Sequence, residues 1–339
     1  MRAMQANTAP RSTRPSFDRG GGPYPTPPPG APLRLAFVGQ GTFFEACALT
    51  QQARDLATRF VEFRQGGAVD AMLGALRAWH PHVVLVFRPE IVPAGAFADL
   101  DAATLGFLTE PLPRRDGPGH HDLDARLHTL RAVDPSNFDH VVAFDPRIAA
   151  TAEAILPVWR SLALPVDDRF FAPVERIPGR PGVMFVGRST PHREALLTPS
   201  KHSFDVLHVA FGVDATRLQA LMREHHVAIN LHNEPYPSFE NRVSLHLAAG
   251  HLVLSEALDP LHGLEPGIDF LEVGHAGDLH AAIAGLQRMP NMHHRVRIRG
   301  RMKAEGFRAS RVYRRLVHDL LLDLHAFGSP RADARRRAG

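Results

Sequence analysis

The chain has 339 residues, enough for two domains of ordinary size, and its 44% hydrophobic and 22% charged content is that of a globular protein rather than a disordered or fibrous one. The formal net charge of +4 sits at the ends: residues 1–32 carry a net +3 and residues 329–339 another +3, leaving −2 for residues 33–328, a body without the charge footprint of a nucleic-acid binder. The single cysteine, Cys47, excludes an internal disulfide, and no apolar run approaches the length of a membrane helix.

Residues 1–32 are rich in Pro, Gly, Ser and Arg and are expected to be a disordered tail. Order begins with the apolar run Leu33–Val38, which ends at Gly39-Gln40-Gly41-Thr42 and is followed by a helical stretch from about Phe43 to Thr58. Phe60–Phe63 predicts a strand, Val69–Trp79 a helix, Val83–Phe87 a strand bounded by Pro81 and Pro89, and Leu105–Leu108 another strand. A helix over about Leu123–Ala132, a strand over Val141–Phe144 and a helix opened by Pro146 complete a first domain over residues 33–164. Prolines 165, 173, 178 and 181 mark a linker over 165–181.

The alternation resumes over 182–328. Val183–Val186, Val206–Val209, Val227–Leu231, Leu252–Ser255 and Phe270–Val273 are the predicted strands. Phe239–Ala249 predicts a helix closed by Gly250, with Asp278–Met289 and Met292–Glu305 as further helices. A last amphipathic helix, about Arg311–Ala326, puts Val312, Leu316, Leu320 and Leu324 on one stripe and is assigned to the second domain. Residues 329–339 are expected to be a basic disordered tail. Short apolar strands alternating with helices mean βαβ units, so the expected class is α/β with two Rossmann-like doubly wound domains.

Ligands of such sheets bind beyond the carboxyl ends of the strands, which selects the loops to inspect. Gly39, Gly41 and Thr42 form a loop suited to an acceptor or a phosphate, or simply a tight turn. It is not a full dinucleotide fingerprint, since the third glycine position holds Phe44. Glu110, at a strand end, is a candidate base or sugar-hydroxyl ligand. Gly187-Arg188 combines close ligand approach with a cation for phosphate. The stretch from Asn230 to Arg242 carries Asn233, Ser238, Glu240, Asn241 and Arg242. Ser238 is placed as the N-cap of the next helix, and Arg242 offers phosphate a planar fork. Glu240 is either a first-turn dipole partner or a ribose ligand. Glu256, Glu265 and Gly267 lie in or beside a Gly/Pro-rich loop and are candidate donor contacts. The 21 histidines include the pairs His120–His121, His225–His226 and His293–His294, none in a metal-ligand frame, so no metal is expected.

The segments GVMFVGR (182–188), RVSLHLAAGHLVLSE (242–256) and LEPGIDFLEVGHAGDL (264–279) together resemble the donor domain of GT-B glycosyltransferases. The resemblance is to the family-1-like group that includes spore-maturation-type enzymes, and it covers roughly 100 residues. It implies two Rossmann-like domains facing across a cleft, and metal-independent hexosyl transfer from a nucleotide sugar used as substrate, with no cofactor. It also implies Arg242 as a catalytic candidate and a glycan, lipid or protein acceptor that the sequence does not name; Glu110, from its strand-end position, or a cleft histidine is the catalytic candidate for the acceptor proton. A cytoplasmic protein is expected, with at most peripheral membrane contact and no nucleic-acid partner. One position departs from the pattern: Leu245 stands where many retaining members carry the second of two glutamates. Two other readings stay open. A non-catalytic nucleotide- or sugar-binding protein is favoured by Leu245, and an NAD(P)-dependent oxidoreductase is disfavoured by Phe44.

Overall fold

The computed structural model describes residues 23–115, 120–210, 212–329 and 331. In chain order the elements are β1 (Leu33–Gly39), α1 (Gly41–Phe44), β2 (Leu56–Glu62), α2 (Val69–Trp79), β3 (Val83–Phe87), β4 (Ala103–Leu108), α3 (His121–Leu130), β5 (His140–Ala143), α4 (Ala149–Glu153) and β6 (Arg160–Ser161). The second half adds β7 (Val183–Val186), α5 (Pro191–Ser203), β8 (Val206–Val209), α6 (Ala215–Glu224), β9 (Val227–Asn230), α7 (Asn241–Ala248), β10 (Leu252–Ser255), β11 (Leu271–Glu272), α8 (Ala276–Arg288), α9 (His294–Lys303) and α10 (Ala309–Phe327).

The strands form two parallel sheets, in the orders β2-β1-β3-β4-β5-β6 and β11-β10-β9-β7-β8. Helices cover both faces, so the central strands read as continuous apolar runs; all five residues of β3 are buried. In each sheet the first strand lies between its second and third in sequence, and this reversal opens a crevice at the strand ends. The expected α/β class with two doubly wound lobes is therefore the observed one.

Four differences from the sequence reading have identifiable causes. The long helix expected over 43–58 is only α1 and one 3-10 turn. Groups a continuing helix would need are taken by distant partners: Tyr313 donates to the Cys47 carbonyl, and the Thr50 amide donates to Asp167 at 3.0 Å. The terminal helix α10 packs into the core of the N-terminal lobe through Ala309, Tyr313, Leu316, Val317, Leu320 and Leu324, so the chain crosses back between lobes. α5 and α6 went unread; Thr190, Pro191 and Asp214 start them as N-caps and N1 proline. Described residues with fixed partners also lie beyond the expected limits of the two domains. Within the assumed tails, Tyr24 is buried and its hydroxyl donates to Asp139 at 2.6 Å. Arg331 is buried and its guanidinium donates to the carbonyls of Phe97 (2.7 Å), Leu100 (3.1 Å) and Ala102. Of the two expected tails, residues 1–22, 330 and 332–339 lie outside the described residues.

Candidate functional site

The loops that follow β7, β9 and β10 meet at the crevice of the C-terminal lobe. Gly187 ends β7 at φ 153°, and a Cβ there would stand 3.2 Å from an Arg193 nitrogen and 3.3 Å from an Arg242 nitrogen. Glycine thus lets two guanidinium groups close on the strand end. Arg193 sits in the first turn of α5 and is held by its surroundings: Nε donates to the carbonyls of Leu231 (3.0 Å) and His232 (3.1 Å), and Nη1 to that of Arg188 (3.0 Å). Arg242, in the first turn of α7, folds back over the strand ends. Its Nε donates to Asn230 Oδ1 (2.6 Å), Nη2 to the Leu231 carbonyl (2.7 Å) and Nη1 to the Val186 carbonyl (3.3 Å).

Glu240 holds this pair together. Its carboxylate is ion-paired with Arg242, lies 3.6 Å from Arg193 Nη2, and has His232 Nδ1 at 3.4 Å. Burial alone would raise its pKa, but the Arg242, His232 and Arg193 charges outweigh it and hold the carboxyl at about 2. Arg193 is lowered to about 10, by burial and then by the neighbouring Arg242. Two cations against one carboxylate leave a positive excess at the switch point, the electrostatic setting an anionic ligand needs.

The outer shell is polar as well. The His232 amide donates to Glu256 Oε2 at 2.7 Å, and His192 lies 2.8 Å from Glu256 Oε1. Arg188, half exposed, donates to Asn233 Oδ1 (3.1 Å) and reaches across the cleft to Asp122 Oδ2 (3.3 Å), which Asn233 Nδ2 also approaches (3.2 Å). Further bridges between the lobes are Arg114, paired with both Asp145 (3.1 Å) and Asp259 (2.9 Å), and Tyr236, whose hydroxyl donates to the Leu112 carbonyl (3.0 Å).

The N-terminal lobe contributes Glu110 from the end of β4. It lies 3.4 Å from Arg126 and 4.0 Å from Arg88, a residue held in the left-handed region at φ 63°. Burial raises its pKa against the pull of Arg126 and Arg88, and the negative charges of Glu90 and Glu240 add to the rise. Glu110 thus stands at the end of β4 between Arg126 and Arg88, near enough to Glu240 to feel its charge. A cavity of about 730 Å³ opens at the ends of β1 and β2, lined among others by Gln40, Thr42, Phe60, Phe63, Arg64 and Met72.

The structure brings together Gly187, Arg188, Asn233, Glu240, Arg242 and Glu256, while Glu110 stays with Arg126 and Arg88 in the other lobe. Ser238 stays beside them but in another role: the N-cap of α7 is Glu240, because the loop continues two residues further than expected, and the buried serine has its hydroxyl 3.4 Å from His232 Nδ1. Others are set apart. Asn241 turns to the other lobe, its Nδ2 3.5 Å from Cys47 Sγ. Glu265 points outward to Lys303 at 3.5 Å, and Gly267 builds a turn at φ 77° whose amide donates to Phe270. In the Gly39–Thr42 loop the Gly41 amide is already taken by Glu62 Oε2 at 2.7 Å. A carboxylate thus fills the place an incoming phosphate would need. His192, Arg193 and His232 were missed; the signal for Arg193 was Thr190-Pro191, a helix start that places it in the first turn.

Neither a protein-family model nor a curated protein matches the sequence. The fold does have solved counterparts. HepE of Anabaena, in complex with UDP-glucose, superposes with a TM-score of 0.54 at 11% identity over 85% of this chain and 99% of its own. A sucrose-phosphate synthase of Thermosynechococcus elongatus does so with a TM-score of 0.51 at 13% identity, over 85% and 100% of the two chains. A glycosyltransferase of Rickettsia africae gives 0.51 at 11% identity over 88% and 100%. With two facing doubly wound lobes and a terminal helix returning to the first, the chain has the GT-B fold.

Proposed function

We propose that the protein is a glycosyltransferase that moves a sugar from a nucleoside-diphosphate sugar to an acceptor hydroxyl. The observation that carries this reading is the arginine cluster at Gly187, where Arg193 and Arg242 converge on a strand end at the switch point and Arg188 stands beside them. The diphosphate lies there. In the reaction the bond from the anomeric carbon to the diphosphate oxygen breaks, the acceptor oxygen bonds to that carbon, and the acceptor proton goes to a base. Fixed cations stabilise the negative charge that grows on the leaving diphosphate, which is the role a metal would otherwise fill. Glu110, with its raised pKa and its place at a strand end of the N-terminal lobe, receives the acceptor proton. The cavity beside Gln40 and Thr42 receives the body of the acceptor. Complexes of a fold neighbour with UDP and with UDP-glucose support a nucleotide sugar as donor class.

A second reading keeps the donor site but not the chemistry. Leu245 is buried in the core at the place of the glutamate found in many members of the resembling group, which favours a protein that binds nucleotide sugars without turning them over. Transfer and hydrolysis assays with UDP-, GDP- and dTDP-sugars, with and without EDTA, separate the two. Turnover that survives EDTA, and that Glu110→Gln lowers by about 10²- to 10⁴-fold with nucleoside-diphosphate affinity unchanged, supports the transferase. Tight binding with neither transfer nor hydrolysis assigns the second reading, and absence of binding refutes both.

A further inference from the structure

The helix α9 presents a surface that the sugar-transfer reading leaves unused. Its inner side is seated firmly on the C-terminal lobe. Arg297 and Gly300 are buried, and a Cβ on Gly300 would meet the Asp269 carbonyl and a Leu247 methyl. Arg297 donates to the carbonyls of Gly250 (3.0 Å) and Glu175 (2.9 Å), and Arg301 to that of Ala172 (2.8 Å). Those cations anchor the helix, so its outward face has a fixed orientation.

That face carries Arg295, Ile298, Arg299 and Met302, the i, i+3, i+4, i+7 set that forms one stripe. Ile298 is 38% and Met302 62% exposed, and Met289 and Met292 are exposed in the turn that leads into the helix. The ten residues from His294 to Lys303 contain four arginines, one lysine and no carboxylate. Arg295 has no ion-pair partner among the described residues, and Arg299, half exposed, reaches Asp269 at 3.5 Å. Arg176 and Arg288 are exposed close to the start of the stripe, with Glu175 as an exposed carboxylate beside them.

We propose that this face of α9 docks the protein on an anionic lipid surface. Unbranched methionines and an isoleucine interleaved with arginines along one exposed stripe suit the headgroup boundary: the apolar tips enter it while the guanidinium groups meet lipid phosphates. The single sign of the charge selects an anionic surface.

The full-length protein is sedimented with vesicles of phosphatidylcholine alone and of phosphatidylcholine mixed with phosphatidylglycerol, over a range of salt. Wild type should pellet with the phosphatidylglycerol vesicles, less so as salt rises, and stay in solution with phosphatidylcholine alone. The double variant Arg295→Glu/Met302→Ser changes two side chains that anchor nothing. It should keep the wild-type melting temperature and nucleoside-diphosphate affinity while losing about tenfold or more in vesicle affinity. Failure of wild type to bind either vesicle overturns the proposal. So does undiminished binding of a folded variant, because the basic chain ends would then be the lipid contact. Met302→Ser alone, a smaller change, gives a second reading of the stripe if the double variant folds poorly, and unchanged vesicle binding by it counts against the proposal.

Discussion

The two lobes place glycine turns at equivalent points and fill them with opposite charge. Gly39-Gln40-Gly41 follows β1, and Gly187-Arg188-Ser189 follows β7; each leaves the first strand of its lobe where the strand order reverses. At the first turn the helix that follows has four residues, and Glu62 accepts from the Gly41 amide. At the second it has thirteen, Thr190 accepts from the Arg193 amide at 3.3 Å, and two guanidinium groups lie against the glycine. Both turns leave a strand end at the reversal of strand order, yet only the second gathers cations. Topology nominates both strand ends, and the neighbouring side chains choose between them.

The strongest way to break this contrast is Arg242→Ala. Losing one fixed donor to developing charge costs about 3–4 kcal/mol, so turnover should fall on the order of a hundred- to a thousandfold, with weaker nucleoside-diphosphate binding. Arg242→Lys should recover little, since a point charge cannot reach Asn230, Leu231 and the ligand at once. Arg242 also neutralises Glu240, so the variant should be less stable, and melting temperature must be measured on the same preparation. Unchanged affinity in a stably folded Arg242→Ala protein would remove this cluster from the proposal. The matching change in the other turn, Glu62→Gln, should leave nucleoside-diphosphate affinity where it was.

A smaller effect sharpens the comparison. Gly187→Ala puts a methyl 3.2 Å from Arg193 Nη1 on a backbone at φ 153°, so both arginines must shift and affinity should fall about tenfold. Gly41→Ala meets Glu62 at 2.9 Å, and only that carboxylate has to move. Calorimetric titration of both variants with UDP is the check. Equal losses would mean that the two turns are not functionally distinct.

Much of this fold could be read from the chain, because buried parallel strands such as Val83–Phe87 announce themselves as unbroken apolar runs. The partner of an element is harder to read than its face. The stripe Leu316, Leu320 and Leu324 was evident, but its period could not say that it belongs to the other lobe's core. Helix propensity over 48–55 was overridden by Tyr313 and Asp167, contacts more than a hundred residues away. Arg188, Asn233, Glu240, Arg242 and Glu256 were singled out because strand ends predict where ligands go, and the structure places them near one another. What could not be foreseen was that Glu240 serves as the clamp between two arginines, since Arg193 reaches it only after α5 has folded over the sheet.

The smallest expected effect concerns the contact that joins the lobes at the arginine site. Asp122, in the first turn of α3, receives Arg188 Nη2 and Asn233 Nδ2 on the same oxygen. It therefore sits where a phosphate oxygen of the donor would compete for the same two groups. The pair is largely exposed, and such pairs are worth about 0–1 kcal/mol. Asp122→Asn keeps the shape and removes the charge, so UDP affinity should rise by about two- to fivefold, and the gain should shrink at high salt. Asp124→Asn is the control: it lies on the same turn, is exposed, and makes no contact across the cleft among the described residues. A gain confined to Asp122→Asn means that this carboxylate holds the place of the phosphate until the donor arrives. Equal gains in both variants would reduce the effect to overall surface charge, and no gain in either would mean that Arg188 meets the donor without first releasing Asp122.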